Sequence, residues 1–272
     1  MNKQVAVSGS FDDLRSRHAR FLEEAAKLGE VTALLWSDDA IRLHTGKEPK
    51  FPLAERLYFV QAIRYVSRTS VIPANAGIQY LDTIASGLPD LWVVDEAGHS
   101  PDKAAWCKQK GIGYHVIPDD ALRGFPLVNI KASASDKPKV IVTGCYDWLH
   151  SGHVRFFEEV SGLGDLYVAV GNDANVTHLK GPGHPLFSQD ERRYMVQAIR
   201  YVHQALMTSG MGWMDAEPEI AWLKPEIYAV NEDGDKPEKR AFCAAHGLQY
   251  AVLKRAPKEG LPRRESTQLR GF

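Results

Sequence analysis

Cysteine is scarce: three in 272 residues, with no two spaced as Cys-x-x-Cys. So few thiols, odd in number, form neither a disulfide framework nor a thiolate metal site. They match the usage of a reducing compartment, so the chain is expected to be cytoplasmic. Long apolar runs are missing as well. None approaches the roughly 20 residues of a membrane-spanning helix, and the opening residues enter a strand pattern with no signal-peptide layout. Neither sign of charge is in excess: 33 Lys and Arg against 34 Asp and Glu leave a net −1. That removes the electrostatic case for nucleic acid as a partner. An apolar fraction of 44% is ordinary for a globular protein, and the length suits two domains that each bury a core.

The chain states one pattern twice. Val5-Ala6-Val7-Ser8-Gly9-Ser10-Phe11-Asp12 returns as Val140-Ile141-Val142-Thr143-Gly144-Cys145-Tyr146-Asp147, offset by 135. Val60-Gln61-Ala62-Ile63-Arg64-Tyr65-Val66 returns as Val196-Gln197-Ala198-Ile199-Arg200-Tyr201-Val202, offset by 136, so one residue is inserted between. Pro89 to Glu96 matches Pro225 to Glu232 in the same way. A period this long means tandem domains, since solenoid units are far shorter. The predicted division is 1–130, a small, polar, proline-ended linker at 131–138, and 139–272. Cys107 and Cys243 hold matching places and read as small buried hydrophobes.

Each half alternates short apolar runs with helical patterns. Val140 to Val142, Leu166 to Val170, Ile227 to Val230 and Tyr250 to Leu253 read as strands. A helix from His153 would turn Phe156, Phe157, Val160 and Leu163 to one face. Another, Asp190 to Val202, would bury Met195, Ile199 and Val202, with Leu57 to Val66 as its counterpart in the first half. A further helix is expected near Lys239. Strand–helix repetition predicts an α/β fold of two tandem Rossmann-like, doubly wound parallel sheets. Ligands in such sheets bind outside the carboxyl ends of the strands, where strand order reverses. The turn from Gly144 to His153 is therefore expected at that crevice.

His150-Ser151-Gly152-His153 is the chemically distinctive run. Two histidines three apart at a helix start project from one side of its first turn. Gly152 lets a ligand approach the backbone, and the helix N-terminus offers free N–H groups. This is a site for a polyphosphate. The plainer alternatives are a surface pair or a metal site, and no further ligand cluster completes the latter.

Here the second half resembles the cytidylyltransferase-like nucleotidyltransferases of the His-x-Gly-His type, from Val140 to about Leu269. Gly144-Cys145-Tyr146-Asp147 through His153 is similar to the family's nucleotide-binding signature, and Phe187 through Val202 to its central helix. Leu253-Lys254-Arg255 with Glu265-Ser266-Thr267 is similar to its closing motif, although residues 256–264 intervene and Gln268 replaces a second threonine. The tandem layout resembles the phosphoethanolamine cytidylyltransferases. Gly212-Trp213 resembles the glycerol-3-phosphate enzymes, and Leu179 to Leu186 the heptose-phosphate adenylyltransferases.

The resemblance implies attack by an acceptor phosphate on the α-phosphorus of a nucleoside triphosphate, with pyrophosphate leaving. Cytidylyl transfer is the leading expectation, and adenylyl transfer to a sugar phosphate its alternative. It implies that His150, His153, Arg255 and Lys180, the last on a glycine-rich loop, handle the phosphates. It implies nucleotide contacts from Gly144, Cys145, Tyr146, Asp147, Gly152, Asn231, Asp233, Arg264, Ser266 and Thr267. Ser266 and Thr267 would cap a short final helix, and residues 256–264 would form a flap. Asp147 would face the acceptor or a metal-bound phosphate. Magnesium is expected with the triphosphate, with no protein ligand assigned to it. Arg192 is either a ligand or a structural ion-pair partner, since the first copy keeps it as Arg56.

In the first copy Arg15, Arg17 and Thr45 replace His150, Gly152 and Lys180, while His18 survives. That half is expected to be non-catalytic, with a regulatory anion at Arg15 and Arg17 as an alternative. Family members pair as dimers, so the two halves are expected to form an internal pseudo-dimer, and a homodimer remains open. The competing function is a nucleotide-binding regulator without turnover. A class I synthetase fragment is excluded by length and by the lack of a lysine-rich second signature.

Overall fold

A computed structural model describes residues 2–74, 76, 87–127 and 135–269, apart from the side chains of Thr267 and Gln268. The chain divides into two compact units, Met1–Gly124 and Phe125–Phe272. Residues 131–134 of the expected linker lie outside the described residues.

The first unit runs β1 (Gln4–Gly9), α1 (Ser16–Ala26), β2 (Glu30–Trp36), α2 (Asp38–Thr45), α3 (Leu53–Ala62), β3 (Val66–Ile72), β4 (Leu91–Asp95), α4 (Pro101–Lys110) and β5 (Gly113–Ile117). The second runs β6 (Lys139–Gly144), α5 (Ser151–Ser161), β7 (Asp165–Val170), α6 (Asp173–Lys180), α7 (Gln189–Gln197), β8 (Gln204–Met207), α8 (Glu217–Leu223), β9 (Ile227–Asn231), α9 (Pro237–His246) and β10 (Gln249–Leu253). Both sheets are parallel and share one topology, β3-β2-β1-β4-β5 and β8-β7-β6-β9-β10. The doubly wound, two-sheet expectation is met.

Strand β6 shows why. Val140, Ile141 and Val142 are all fully buried, as the unbroken apolar run requires of a central strand covered on both faces. Burial contributes about 1.5–3 kcal/mol for each such side chain. Ile141 packs with Tyr228 and Val230 of β9, Ala216 and Ile220 beside and on α8, and Cys243 of α9. Chain direction explains this face. From β6 the connections to β7 and β8 run one way, and those to β9 and β10 the other. With right-handed crossovers, α5 and α7 cover one face of the sheet and α8 and α9 the opposite one. Cys107 and Cys243 are buried in matching cores, as expected.

Three helix readings need correction. Helix α7 stops at Gln197, and Ile199 and Val202 are buried in the turns that follow, closed by Ile199 N–H to Val196 O and Val202 N–H to Ile199 O. Its counterpart α3 spans Leu53–Ala62 and ends before Val66, which starts β3. Helix α5 begins at Ser151 and ends at Ser161, leaving Leu163 partly exposed beyond it. Apolar periodicity marks what is buried and continues through a tight turn as readily as through a helix.

Candidate active site

The crevice beside β6 forms where strand order reverses between β7 and β9. One cleft there is lined by Gly144, Cys145, Tyr146, Asp147, His150, Gly152, His153, Lys180, Asn231, Asp233, Arg255 and Ser266. Twelve of the fourteen expected site residues therefore meet in one place. Arg264 lines an adjoining groove with Arg255 and Lys254. The side chain of Thr267 lies outside the described residues. Thr143, Phe156 and Lys239, which the motif reading did not name, line the main cleft too.

The histidine pair is built by the start of α5. His150 is the N-cap, and its Nδ1 accepts the Gly152 N–H at 3.1 Å. A neutral imidazole that accepts at Nδ1 carries its hydrogen on Nε2. That Nε2 is buried and has no partner among the described residues. The His153 ring lies 4.0 Å from the His150 ring, centroid to centroid, and edge-on to Tyr146. Its Nδ1 is likewise buried and unpartnered. Burial, then the charges of Arg255 and Arg264, pull His150 down to about 3. Burial, His150, Arg255 and Lys180 hold His153 well below its ordinary value. Both rings are thus neutral donors in a positive field, suited to phosphate oxygens.

This arrangement has a measurable cost. An unfolded imidazole protonates near 6.5, and these two only far lower. Between those values the unfolded chain binds more protons, so stability is lost as pH falls below about 6.5. By pH 5 the loss is on the order of 1–2 kcal/mol for each ring. Denaturant midpoints at pH 7 and pH 5 check this. The His150→Ala, His153→Ala double variant should lose that part of the acid sensitivity, and an unchanged sensitivity would assign it to other groups.

Gly152 lines the cleft and has a second role. A Cβ there would meet the His150 ring at 2.9 Å, before any approaching ligand, so the glycine makes room for the imidazole that caps the helix. Gly144 does the same for Tyr146, whose ring would lie 2.7 Å from an added Cβ. Tyr146 itself takes the left-handed region, φ 52°, which tucks its ring against His153 and Phe157.

Lys180 is not on a loop. It ends α6, and Gly181, at φ 83°, turns the chain away after it. Arg255 bonds Asp233 at 2.5 Å and the Arg264 carbonyl at 3.2 Å, which ties the end of β10 to the loop after β9. Ser266 opens a 3-10 turn, Ser266–Leu269, and its hydroxyl donates to the Trp148 carbonyl at 3.3 Å instead of capping a helix. Lys258, in the intervening stretch, pairs with Glu158 of α5 at 2.8 Å and holds that stretch down.

Asp147 is nearly buried, and its Oδ1 accepts the N–H groups of Leu186 and Phe187. Asp12 accepts the matching N–H groups of Lys50 and Phe51 in the first unit, one on each oxygen. One oxygen of Asp147 is therefore committed to loop architecture. Asp233 is committed to Arg255, and no cluster of three His, Cys, Asp or Glu side chains suits a metal among the described residues.

Arg192 resolves as structural. It is fully buried and bonds the Phe187, Cys145 and Gly171 carbonyls and Asp173. Arg56 repeats the set on Phe51, Ser10, Trp36 and Asp38. In the first unit, Arg15 pairs with Asp13 at 2.6 Å, and Arg17 with Asp119 at 2.6 Å and Asp95 at 3.2 Å. The two arginines that replace the motif's histidine and glycine thus have carboxylate partners already.

The family model described as cytidylyltransferase-like matches residues 141–232. The FAD synthase of Ferroglobus placidus (strain DSM 10642 / AEDII12DO) is 33% identical over 124 residues, covering 44% of this chain and 78% of that protein. The chain belongs to the cytidylyltransferase-like nucleotidyltransferase family. This is a family of enzymes. Another member, the bifunctional protein HldE of Azotobacter vinelandii (strain DJ / ATCC BAA-1303), is 48% identical over 127 residues, 45% of this chain and 26% of that protein. The chain thus spans about a quarter of the length of the HldE proteins it matches. Among solved structures, the lipopolysaccharide core biosynthesis protein from Thermoplasma volcanium GSS1 aligns over 45% of this chain and 98% of its own, at 22% identity and a TM-score of 0.37. No helix among the described residues is long and apolar enough to cross a membrane.

Proposed function

We propose that the second unit transfers a nucleotidyl group, adenylyl in preference to cytidylyl, from a nucleoside triphosphate to the phosphate of a small acceptor. An acceptor phosphate oxygen attacks the α-phosphorus, the bond to the β-phosphate oxygen breaks, and pyrophosphate leaves. The observation that carries this is the unpartnered Nε2 donor of His150, beside His153, Lys180 and Arg255 in one cleft. The two imidazoles donate to oxygens that gain charge at the α-phosphate and the leaving pyrophosphate, while Lys180 and Arg255 neutralise the chain of phosphates. Magnesium would accompany the triphosphate and offset its charge, and Asp147, with one oxygen committed to the loop, is the cleft carboxylate that would face it. The first unit is a non-catalytic companion, with arginines where the motif has its first histidine and its glycine.

FAD is an adenylyl ester of a flavin phosphate, so a 33% identical protein named FAD synthase supports an adenylyl donor and a phosphate-ester acceptor. A sugar phosphate is the acceptor we favour, because residues 179–186 resemble the heptose-phosphate adenylyltransferases. Cytidylyl transfer is the second reading, kept by the family's own description.

Melting curves with ATP and with CTP, each with magnesium, decide the donor. At one hundred times Kd the preferred triphosphate raises Tm by roughly 5–10 °C. A shift with CTP alone reverses the preference. No shift with either overturns the proposal, and binding without pyrophosphate release under any acceptor leaves a nucleotide-binding regulator.

A further inference from the structure

The second unit carries a segment with no part in the phosphate chemistry. Residues 256–264 separate Arg255 from the Ser266 turn and wall the groove that adjoins the main cleft. Cleft and groove share Gly152, Phe156, Asn231 and Arg255. The outer wall of the groove is Ala256, Pro257, Arg263 and Arg264. The segment is held in two places. Lys258 bonds Glu158, in the third turn of α5, at 2.8 Å. Glu158 is itself fixed by Arg155 at 2.9 Å, and Arg155 pairs at 2.7 Å with Glu159, which lines the groove. At the other end the Arg264 carbonyl accepts from Arg255 at 3.2 Å and lies 3.7 Å from where a Cβ on Gly152 would stand. Between these ties the segment crosses the first turns of α5 as a strap.

The first unit shows what the strap changes. Glu23 and Glu24, the matches of Glu158 and Glu159, both pair with Arg20, the match of Arg155. There the chain after β5 runs straight into the 3-10 turn Asp119–Leu122, which is pinned to the first two turns of α1. Arg17 bonds Asp119 at 2.6 Å, and Arg20 donates to the Ala121 carbonyl at 2.7 Å. Arg17 stands where the second unit has Gly152. In the second unit the tie has moved along the helix to Glu158, and its cation has moved from the helix to the strap. The helix start is thereby cleared, and the groove runs over Gly152.

A groove continuous with the phosphate cleft is the exit for the rest of the donor. The phosphates lie against the histidines, Lys180 and Arg255, and the nucleoside leaves past the residues that cleft and groove share. Phe156, Ala256 and Pro257 offer apolar surface to a base, and the guanidinium planes of Arg263 and Arg264 are suited to stacking on one. We propose that Lys258 is a positioning residue: through Glu158 it holds the strap as the wall against which the nucleoside of the donor packs. This rests on the nucleotidyl-transfer reading. A strap already pinned does not have to be ordered when the nucleotide arrives, so the tie raises affinity without touching the ligand.

The test compares two ligands by calorimetry on the full chain, each with magnesium: the triphosphate preferred in the melting curves, and inorganic tripolyphosphate, which has no nucleoside. Lys258→Met should weaken the nucleotide about threefold to fivefold, the upper range for an exposed ion pair, and leave tripolyphosphate unchanged. Lys258→Arg should restore nucleotide affinity. The turn from Lys258 is closed by the Leu261 N–H on the Lys258 carbonyl at 2.9 Å. Replacing residues 258–261 with two glycines removes that turn as well as the tie, and should weaken the nucleotide about tenfold or more with a melting temperature close to that of wild type. Unchanged nucleotide affinity in both Lys258→Met and the shortened strap overturns the proposal. A parallel loss of tripolyphosphate also does, because it would place the strap at the phosphates. So does failure of Lys258→Arg to restore binding, or tripolyphosphate binding to wild type as tightly as the nucleotide. If wild type binds neither ATP nor CTP, the nucleotidyl-transfer reading itself fails, whereas tight wild-type binding that the variants do not alter removes the strap alone.

Discussion

Replacing His153 with alanine removes turnover, by about 10²–10³ in kcat, while the melting temperature in neutral buffer stays close to that of wild type. The rate loss follows from the position of the ring. It stands 4.0 Å from His150 in a cleft walled by Lys180 and Arg255, where a donor aimed at developing phosphate charge counts for about 3–4 kcal/mol. The fold survives because the buried Nδ1 of His153 has no hydrogen bond to lose among the described residues, and the ring's main contacts are Tyr146 and His150. His150→Ala gives a comparable rate loss with an added stability cost of about 1 kcal/mol, since His150 also caps α5. The control is His18→Ala, the same position in the first unit, which should change the rate less than twofold by our assignment of that unit. Initial rates of pyrophosphate release measure all three. A near-normal rate for His153→Ala would remove the histidines from the mechanism, and a large loss for His18→Ala would make the first unit catalytic.

The contrast between His153 and His18 was open to view in the sequence because the tandem repeat aligns the two copies without reference to any other protein. The sheets were equally open: apolar runs such as Val140-Ile141-Val142 are buried on both faces and need no partner to be recognised. Partner choice was hidden. Arg17 looks like a free cation until the fold brings Asp95 and Asp119, 78 and 102 residues away, within ion-pair distance. Lys239 was concealed for the opposite reason. A lysine in the first turn of a helix reads as solvated, and only the packing of α9 on Tyr228 reveals it as buried. Gly152 was legible as a place for close approach, but not as the room for an imidazole of its own turn.

Arg192→Leu should cost the second unit about 3–5 kcal/mol and lower its melting temperature by on the order of 10 °C. No other substitution argued from this structure has a larger expected effect on stability. The guanidinium is 1% exposed and bonds three carbonyls from separate segments: Phe187 O at 3.0 Å, Cys145 O at 2.6 Å and Gly171 O at 2.7 Å. Its fourth contact, Asp173 at 2.7 Å, anchors the start of α6. Leucine fills much of the volume but leaves three carbonyls without this donor and a carboxylate without its counter-charge. Arg192→Lys should rescue little, because one ammonium cannot span a fork of fixed geometry reaching four acceptors. These segments carry the site: the Cys145 turn leads to the histidines, α6 ends in Lys180, and Phe187 follows the loop that Asp147 holds. Activity in the folded fraction should therefore fall as well, through misplacement and not through loss of a contact to substrate. Melting curves with activity per folded molecule separate the two effects. A normal Tm with lost triphosphate binding would return Arg192 to the role of a phosphate ligand. Arg56→Leu is the decisive companion. It removes the same fork from the first unit, where no turnover is assigned, so it should destabilise that unit comparably and leave the activity of the folded protein intact.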